Sequence, residues 1–398
     1  MEANAKKRLA GSVRTALKSV KASELGWLDI SLLSSSELEP AEKIVAQHKK
    51  DLLTKDRARW LLLEVISSEL QSRDVEVVPS QGLTEVLSDA EIEEVAAAVA
   101  AYIDGLPHPL EVACPFPQID PLVEPIHVTS EIRIESRNTA PPLMPARPRT
   151  VAISKVSAIP TWMFSDSTVA LAFEQVRAIL GIWLAMEVLS VDPPGLSNLL
   201  TFPASRNETY EVVDLSTGTR LANASAEIAR RGEYISRMRF DKRNLERQTR
   251  DSSATSQAIA KLVATTCGPI FEDETLRSEA AGLMSASHWF FEAGLADDET
   301  SGFIFACIGI DAIAGGADQS QSLSQRVADR ASHILCRRPS QRTDMARRLI
   351  KIFQARGKVV HGQVQKLNGD DLALAREAKL ILGLLIRTEL RNLVPGPL

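Results

Sequence analysis

The C-terminal third of the chain constrains the fold most, because from about residue 270 onward apolar residues recur almost only at α-helical spacing. One segment, Gly302–Ala314, is apolar on nearly all sides, which indicates a helix at the centre of a bundle. The connections between segments are short and favour an antiparallel arrangement. We predict an all-α bundle over residues 270–398, with helices at Leu276–Gly294, Gly302–Ala314, Ser322–Ile334, Thr343–Ala355 and Asp370–Leu393.

The first 105 residues also follow a helical pattern, but they contain no recognisable catalytic or binding motif. Apolar residues recur at helical spacing over Ala41–Ile66. A second helix is predicted over Asp89–Ile103, because Ser88 and the acidic residues after it form a typical N-terminal cap. We therefore predict a helical N-terminal region over residues 1–105.

The pattern changes near residue 106, where prolines become frequent and apolar residues begin to alternate with polar ones, as in β-strands. Residues 106–247 are therefore predicted to form a β-rich α+β domain, in which the apolar segment Val169–Val191 is a buried helix. The polar run that begins at Asp251 marks a linker over residues 248–269. The predicted strands are Ile126–Ile134, Thr150–Val156, Tyr210–Leu215 and Glu233–Phe240.

Composition is that of a soluble globular protein, and the patterns above predict a multidomain α+β fold. The 398 residues exceed the size of one ordinary core, so two or three domains are expected. The most apolar windows are too short to span a bilayer and no export signal is visible, so we predict a cytoplasmic protein without membrane contact. The four cysteines are widely spaced, which disfavours disulfides and a zinc site.

The sequence lacks the known nucleotide-binding, metalloprotease, serine-hydrolase and deaminase motifs, and we predict no metal site and no cofactor. The candidate for chemistry is Arg356 with His361 five residues later. Arginine binds a phosphate in a bidentate way, and histidine transfers protons near neutral pH. Together they supply the groups needed to cleave an RNA phosphodiester without a metal, by attack of the 2′-hydroxyl.

The spacing of this pair sets a geometric condition. Residues five apart on an ideal helix point about 140° away from each other, so Arg356 and His361 do not share a face. Either Gly357 lets the backbone turn so that they converge, or a second subunit completes the site. The structural alternative is that Arg356 pairs with the isolated acid Asp311. In that alternative His361 caps a helix end next to Gly362.

Basic residues are concentrated around the pair. Between Arg326 and Lys358 there are ten basic and two acidic residues, which gives a local charge of +8 in a chain whose net charge is −5. A patch of this kind attracts the phosphate backbone of RNA. The residues predicted to bind RNA there are Arg326, Arg330, Arg347, Arg348 and Lys351.

These features resemble those of a known family. The segment from Arg356 to Gly362, with the aromatic Phe353 before it, is similar to the motif of the HEPN superfamily and most similar to that of the Apea-like HEPN domains. The segment Cys307–Ile313 resembles an earlier helix of the family, in which an acidic residue is usual. The resemblance covers about residues 270–395.

The resemblance implies a helical bundle that forms a homodimer with its two motifs facing each other. It also implies a metal-independent endoribonuclease, of the kind found in toxin, anti-phage and other defence systems. In that case Arg356 contacts the phosphate and His361 is the catalytic histidine. Asp311 would be an orienting acid, with Lys358 and Gly362 in supporting positions.

Gly357 departs from the family pattern, because many active members have a polar residue directly after the arginine. An inactive HEPN-type module that binds RNA or a protein is therefore the alternative. The regions before residue 248 would then act as a sensor for a ligand or trigger, by analogy with the family.

Overall fold

A computed structural model of the chain shows a mixed α+β protein in which helices predominate, as predicted. The chain forms two compact units. Unit 1 consists of Met1–His108 and Ser157–Phe164, and unit 2 of Pro109–Val156 and Ser165–Leu398. The structure describes residues 1–20, 35–51, 53, 55–73, 82–138, 148–159, 165–192, 211–215, 220–222, 226–250, 255–315 and 323–394.

The described helices of unit 1 surround one apolar core. The predicted N-terminal cap is confirmed: Ser88 Oγ accepts from Glu91 N at 3.3 Å, and Glu91 Oε2 accepts from Ser88 N at 2.7 Å. The single helix predicted over Ala41–Ile66 is instead two helices, because the polar run His48–Asp51 interrupts its apolar face. The helices are α1 (Ala3–Leu17), α2 (Ser35–His48), α3 (Lys55–Gln71), α4 (Leu83–Val86) and α5 (Asp89–Gly105).

The described strands form a six-stranded and a two-stranded sheet. They are β1 (His108–Pro115), β2 (Ile126–His127), β3 (Ile132–Asn138), β4 (Pro148–Ala158), β5 (Leu189–Val191), β6 (Glu211–Asp214), β7 (Arg220–Ala222) and β8 (Met238–Phe240). The larger sheet has the order β2-β3-β4-β1-β6-β7, and β5 pairs with β8. The pairs β2–β3, β3–β4, β1–β6, β6–β7 and β5–β8 are antiparallel.

The segment predicted as one strand over Ile126–Ile134 is a hairpin of β2 and β3. Thr129 separates the two strands, because its Oγ1 accepts hydrogen bonds from the backbone N of Glu131 at 3.0 Å and of Ile132 at 2.9 Å. A side chain that binds the backbone in this way favours a turn over an extended ladder. The alternation of apolar residues therefore spans two strands rather than one.

The strand predicted over Glu233–Phe240 is wrong for its first half, which is helical, and only its end is extended, as β8. Tyr234 and Ile235 are both buried, and neighbouring residues can share one buried side on a helix but not on a strand. The helix predicted over Val169–Val191 ends at Ala185. A residue of positive φ then turns the chain into β5.

The remaining described helices belong to unit 2. The helix predicted around Leu276–Gly294 is two helices, whereas the helix predicted over Asp370–Leu393 is confirmed with the same bounds. Residues 255–267, within the predicted linker, are helical and bury apolar side chains. The helices are α6 (Ser165–Ala185), α7 (Ala226–Ser236), α8 (Lys242–Thr249), α9 (Thr255–Leu262, continued by the π-helix Val263–Cys267), α10 (Gly268–Glu272), α11 (Glu274–Glu279), α12 (Ala281–Leu295), α13 (Glu299–Ala314), α14 (Leu323–Leu335), α15 (Pro339–Val360) and α16 (Asp370–Leu393).

Helices α13 and α6 both lie in the interior of unit 2. Helix α13 packs against α12, α14, α15 and α16, which confirms the central position predicted from its apolar sequence. Helix α6 contains the apolar stretch Thr168–Ala185, which by length and composition could span a membrane. The expectation that every apolar segment of the sequence is too short to do so is therefore wrong for this helix. However, 72% of this stretch is buried inside the protein, as expected for a core helix.

Candidate active site at the end of helix α15

Arg356 lies on α15, and His361 directly follows the end of that helix. The helix runs without interruption through Gly357 to Val360. The idea that Gly357 turns the backbone and brings the two side chains together is therefore wrong. On a continuous helix the pair stays about 140° apart around the axis and about 7.5 Å apart along it.

The turn that ends α15 is made by Gly362, whose φ of 70° lies in the left-handed region. Gly362 N donates to the carbonyl of Val359 at 3.0 Å, and Gln363 N donates to the carbonyl of Lys358 at 2.9 Å. These two bonds form a Schellman motif, with the exposed His361 at the C-cap position. The prediction that His361 caps a helix end next to Gly362 is confirmed for the backbone, and the side chain of Lys358 is exposed.

Arg356 is half-buried, and its charge acts on Cys307 and Asp311 of α13. Its Nε atom is buried and has no hydrogen-bond partner among the described residues. Within this part of the chain no hydrogen bond or ion pair joins Arg356 to Asp311, so the alternative in which Asp311 saturates Arg356 does not hold. Burial raises the pKa of the Cys307 thiol to about 12, so this thiol stays protonated at neutral pH.

Asp311 is the half-buried acid of this site, on the face of α13 near α14 and α15. Burial raises the pKa of its carboxyl, and Arg356 and Arg326 lower it without cancelling the effect of burial. Gly315 N donates to the Asp311 carbonyl at 2.5 Å, and a Cβ on Gly315 would lie 2.5 Å from Asp311 Oδ1. Arg330 Nη1 in turn donates to the Gly315 carbonyl at 3.2 Å. We call Asp311, Arg326 and Arg356 the site cluster.

Three residues of the predicted basic patch, Arg347, Arg348 and Lys351, lie on the exposed side of α15. Arg347 pairs with Asp344 at 2.9 Å, and Arg348 pairs with Glu377 at 3.3 Å. Lys351 is exposed and makes no ion pair with another described residue. Exposed pairs of this kind are weak, so both arginines can still turn to a phosphate. Of the predicted patch, Arg326 of α14 is therefore half-buried, Arg330 of the same helix is exposed, and Arg347, Arg348 and Lys351 form an exposed row along α15.

A second cluster of charges lies in the core of unit 2, and sequence reasoning missed it. Arg177 of α6 donates its Nη1 to Glu292 Oε1 of α12 at 2.7 Å, and both residues are only 8% exposed. Arg231 of α7 has an Nη atom 3.6 Å from the same oxygen. We call these three residues the core cluster. The signal that could have found it is Glu292, the one charged residue of the otherwise uncharged helix segment Ala281–Leu295 except for His288.

Two titratable groups border the core cluster. Burial lowers the pKa of His288, and the nearby Arg177 lowers it further. Burial raises the pKa of Tyr234 to about 12. Both groups are therefore mainly neutral at pH 7, and the charges that act on them are those of Arg177, Arg231, Arg237, Glu174 and Glu292.

Among the described residues, no three histidine, cysteine or acidic side chains converge in a way that could hold a metal ion. No family model, no curated protein and no solved structure matches this chain.

Proposed function

We propose that the C-terminal helices form a HEPN-type bundle that cleaves RNA as a metal-independent endoribonuclease. The observation that carries this proposal is the state of Arg356. It is half-buried beside an acid, its Nε atom is buried without a hydrogen-bond partner, and no described residue pairs with it. A buried donor is normally satisfied, so a group held in this way is ready for an anion.

The proposed chemistry uses an imidazole and a guanidinium. His361 takes the proton of an RNA 2′-hydroxyl while water protonates the leaving 5′-oxygen, or it gives a proton to the 5′-oxygen while water takes the proton of the 2′-hydroxyl. The 2′-oxygen forms a bond to phosphorus as the bond to the 5′-oxygen breaks, leaving a 2′,3′-cyclic phosphate and a 5′-hydroxyl. Arg356 stabilises the negative charge that develops on the phosphoryl oxygens. Exposure of His361 at the helix end leaves it accessible to RNA.

In the proposed homodimer, Arg356 and His361 can meet although they do not meet within one chain. Because α15 is continuous, Arg356 and His361 of one chain point in different directions. We propose that Arg356 of one copy acts with His361 of the other, across a two-fold axis that creates two such sites. The exposed basic row of α15, with Arg347, Arg348 and Lys351, would guide the RNA backbone toward them.

The test is cleavage of a labelled RNA in EDTA by the wild type and by Arg356→Ala and His361→Ala. We expect each variant to lose at least about 100-fold in rate. The controls are Arg243→Ala and His48→Ala, which remove an exposed arginine and an exposed histidine elsewhere. Cleavage that persists in both Arg356→Ala and His361→Ala would remove the assigned site.

Mixing the two inactive variants tests the shared site. After unfolding and refolding together in equal amounts, half of the dimers are mixed, and each mixed dimer contains one intact site. We therefore expect roughly a quarter of the wild-type activity to return. If no activity returns although mixed dimers form, Arg356 and His361 act within one chain or not at all.

The alternative function is an inactive HEPN-type module that binds RNA or a protein. The observation that favours it is Gly357, which provides no side chain beside Arg356 where many active relatives of the family have a polar one. Binding of RNA without cleavage by the wild type, and without toxicity on expression, would support this alternative. In either case we place the protein in the cytoplasm, as a defence or toxin effector whose preceding regions respond to a ligand or trigger.

A further inference from the structure

We infer that the substrate is a single RNA strand that lies along one face of α15, where Arg347, Lys351 and Lys358 bind its phosphates and His361 stands at the end. This inference rests on the proposed function, because it names the substrate class of the same site and the side of the helix on which the strand runs. It distinguishes these contacts from Arg348, which attracts the RNA only from a distance.

Five residues of α15 and its end lie on one side of the helix. Successive helical residues are rotated by about 100°, so Arg347, Lys351, Gln354, Lys358 and His361 fall within an arc of about 80°. All five side chains are exposed, and the buried side chains of α15 lie outside this arc. We call these five residues the His361 face.

Arg348 lies off the His361 face. By the same rotation it is about 140° from His361, although it is adjacent to Arg347 in the sequence. Arg348 pairs with Glu377 of α16 at 3.3 Å, so its side chain is directed to a neighbouring helix. A strand that runs along the helix to His361 therefore passes Arg347 but not Arg348.

The His361 face is positive along its length. The chain has no acidic residue between Asp344 and Asp370. Lys351 and Lys358 make no ion pair with another described residue. Arg347 pairs with Asp344 at 2.9 Å, but both side chains are more than 60% exposed, so solvent weakens the pair. Three cations are therefore available to successive parts of one phosphate backbone.

The length of the His361 face sets the length of the bound strand. Residues 347 and 361 are 14 positions apart, which is about 21 Å along the helix axis. A stacked strand advances about 3.4 Å per nucleotide, so about six nucleotides cover this distance. The strand is unpaired at the cleaved phosphate, because the attacking 2′-oxygen must lie in line with the leaving 5′-oxygen and an A-form duplex does not allow this.

The His361 face offers contacts to phosphates rather than to bases. Phe353, the one aromatic residue of α15, is buried, so this helix provides no platform on which bases stack. Binding through phosphates alone carries little sequence information. The face also lacks the exposed apolar side chains by which a basic helix enters a membrane surface, which favours RNA over a lipid partner.

The experiment measures binding of single-stranded RNA whose 2′-hydroxyls are methylated and which therefore cannot be cleaved. Fluorescence anisotropy follows affinity for the full-length wild type, for Arg347→Ala, Lys351→Ala and Lys358→Ala, and for the triple variant. Arg348→Ala tests the side of the helix. Arg376→Ala is the matched control, since it removes an exposed arginine from α16.

We expect each single variant on the His361 face to weaken binding at least about threefold, and the triple variant at least about 30-fold. The slope of log K against log salt should become smaller by about 2 in the triple variant, because each phosphate contact contributes about 0.7. Arg348→Ala and Arg376→Ala should each weaken binding less than about twofold. Thermal melting identifies variants that fail to fold, and the corresponding glutamine variants, which keep the side-chain length, then replace them.

Strands of different length and composition test the remaining parts of the inference. Affinity should rise steeply up to about six nucleotides and little beyond that length. Oligomers of uridine, cytidine and adenosine should bind within about threefold of one another, because the contacts are made to phosphates. Where the wild type cleaves unmodified RNA, it should cleave a single strand faster than a duplex of the same sequence.

The inference is overturned if the folded triple variant behaves like Arg376→Ala, or if Arg348→Ala weakens binding as much as Arg347→Ala. It is also overturned by equal cleavage of duplex and single strand, or by binding to phosphatidylserine vesicles without binding to RNA. Failure of the proposed function is a separate result: the wild type binds the methylated strand through the His361 face but does not cleave the unmodified one. Cleavage by a wild type whose triple variant binds normally overturns this inference alone.

Discussion

The core cluster and the site cluster of unit 2 contain the same groups, two arginines and one carboxylate, but they are arranged differently. In the core cluster Arg177 and Glu292 are each 8% exposed and joined at 2.7 Å. In the site cluster Asp311 and Arg356 are half-buried, and no hydrogen bond or ion pair within the described residues joins them. A buried charge that is closely paired holds helices together, whereas a loosely paired one keeps its capacity to bind an anion.

Removing the carboxylate of the core cluster should have the largest effect on stability. Glu292→Gln removes the carboxylate that accepts a hydrogen bond from the buried Arg177, so we expect a loss of about 3–5 kcal/mol in the free energy of unfolding. Urea denaturation measures it. The control Glu187→Gln breaks the pair with Arg387, in which Glu187 is 56% exposed, and should cost less than about 1 kcal/mol. Equal losses would show that the core cluster does not stabilise the fold.

Two glycines near the end of α15 allow the backbone of the site to be tested without changing any of its charges. Gly362→Ala places a side chain at a φ of 70° and should cost about 1–2 kcal/mol. The matched change Gly357→Ala lies inside the helix with no atom within 4 Å of the new Cβ, and should stabilise the protein by about 0.5–1 kcal/mol. Denaturation curves of the two variants should therefore shift in opposite directions. A destabilised Gly357→Ala would mean that the helix does not continue through that residue.

Replacing the carboxylate of the site cluster should have a smaller effect, with a sign that depends on pH. The folded-state pKa of Asp311 is raised, so the stability it contributes is present below its unfolded pKa of about 3.9 and is lost as the pH rises through the folded value. Asp311→Asn does not titrate and should gain stability relative to the wild type as the pH rises from 4 to 8. Melting temperatures across this range measure the difference. A variant that instead becomes relatively less stable toward pH 8 would show that ionised Asp311 is well paired.

The smallest effect is expected on the exposed row of α15. Arg347 is 64% exposed and pairs with Asp344, three residues earlier on the same helix. Arg347→Ala should change the free energy of unfolding by no more than about 0.5 kcal/mol, because solvent screens such pairs. Urea denaturation at low and high salt checks this. A loss comparable to that of Glu292→Gln would remove the distinction between exposed and buried pairs.

Local patterns in the sequence predict much of the helical structure. The cap at Ser88 and the bounds of Asp370–Leu393 are confirmed, because both depend on residues within a few positions of each other. The same reasoning fails at Thr129, where one side chain turns an alternating segment into a hairpin. It also fails at Tyr234, where the buried neighbours belong to a helix rather than a strand.

Contacts between distant residues are beyond what local patterns can predict. Arg177 and Glu292 are 115 positions apart, so only the packing of α6 on α12 brings them together. The sequence offered Asp311 as a partner for Arg356, but no hydrogen bond or ion pair between described residues joins the two. The Arg356–His361 pair was visible from its spacing, and its catalytic role stays a prediction, since a continuous helix leaves the pair unconverged within one chain.

The chain enters unit 1 twice, through Met1–His108 and again through Ser157–Phe164 after β4 leaves the sheet. The second passage supplies Ile159, a buried member of the core of unit 1. The two units are therefore not consecutive in the sequence. A single recombination event near residue 108 cannot replace unit 1 without leaving its second segment, and with it Ile159, in the recipient chain. We expect the units to be inherited together, and a protein shortened to begin at Pro109 would carry an apolar segment without the core that covers it.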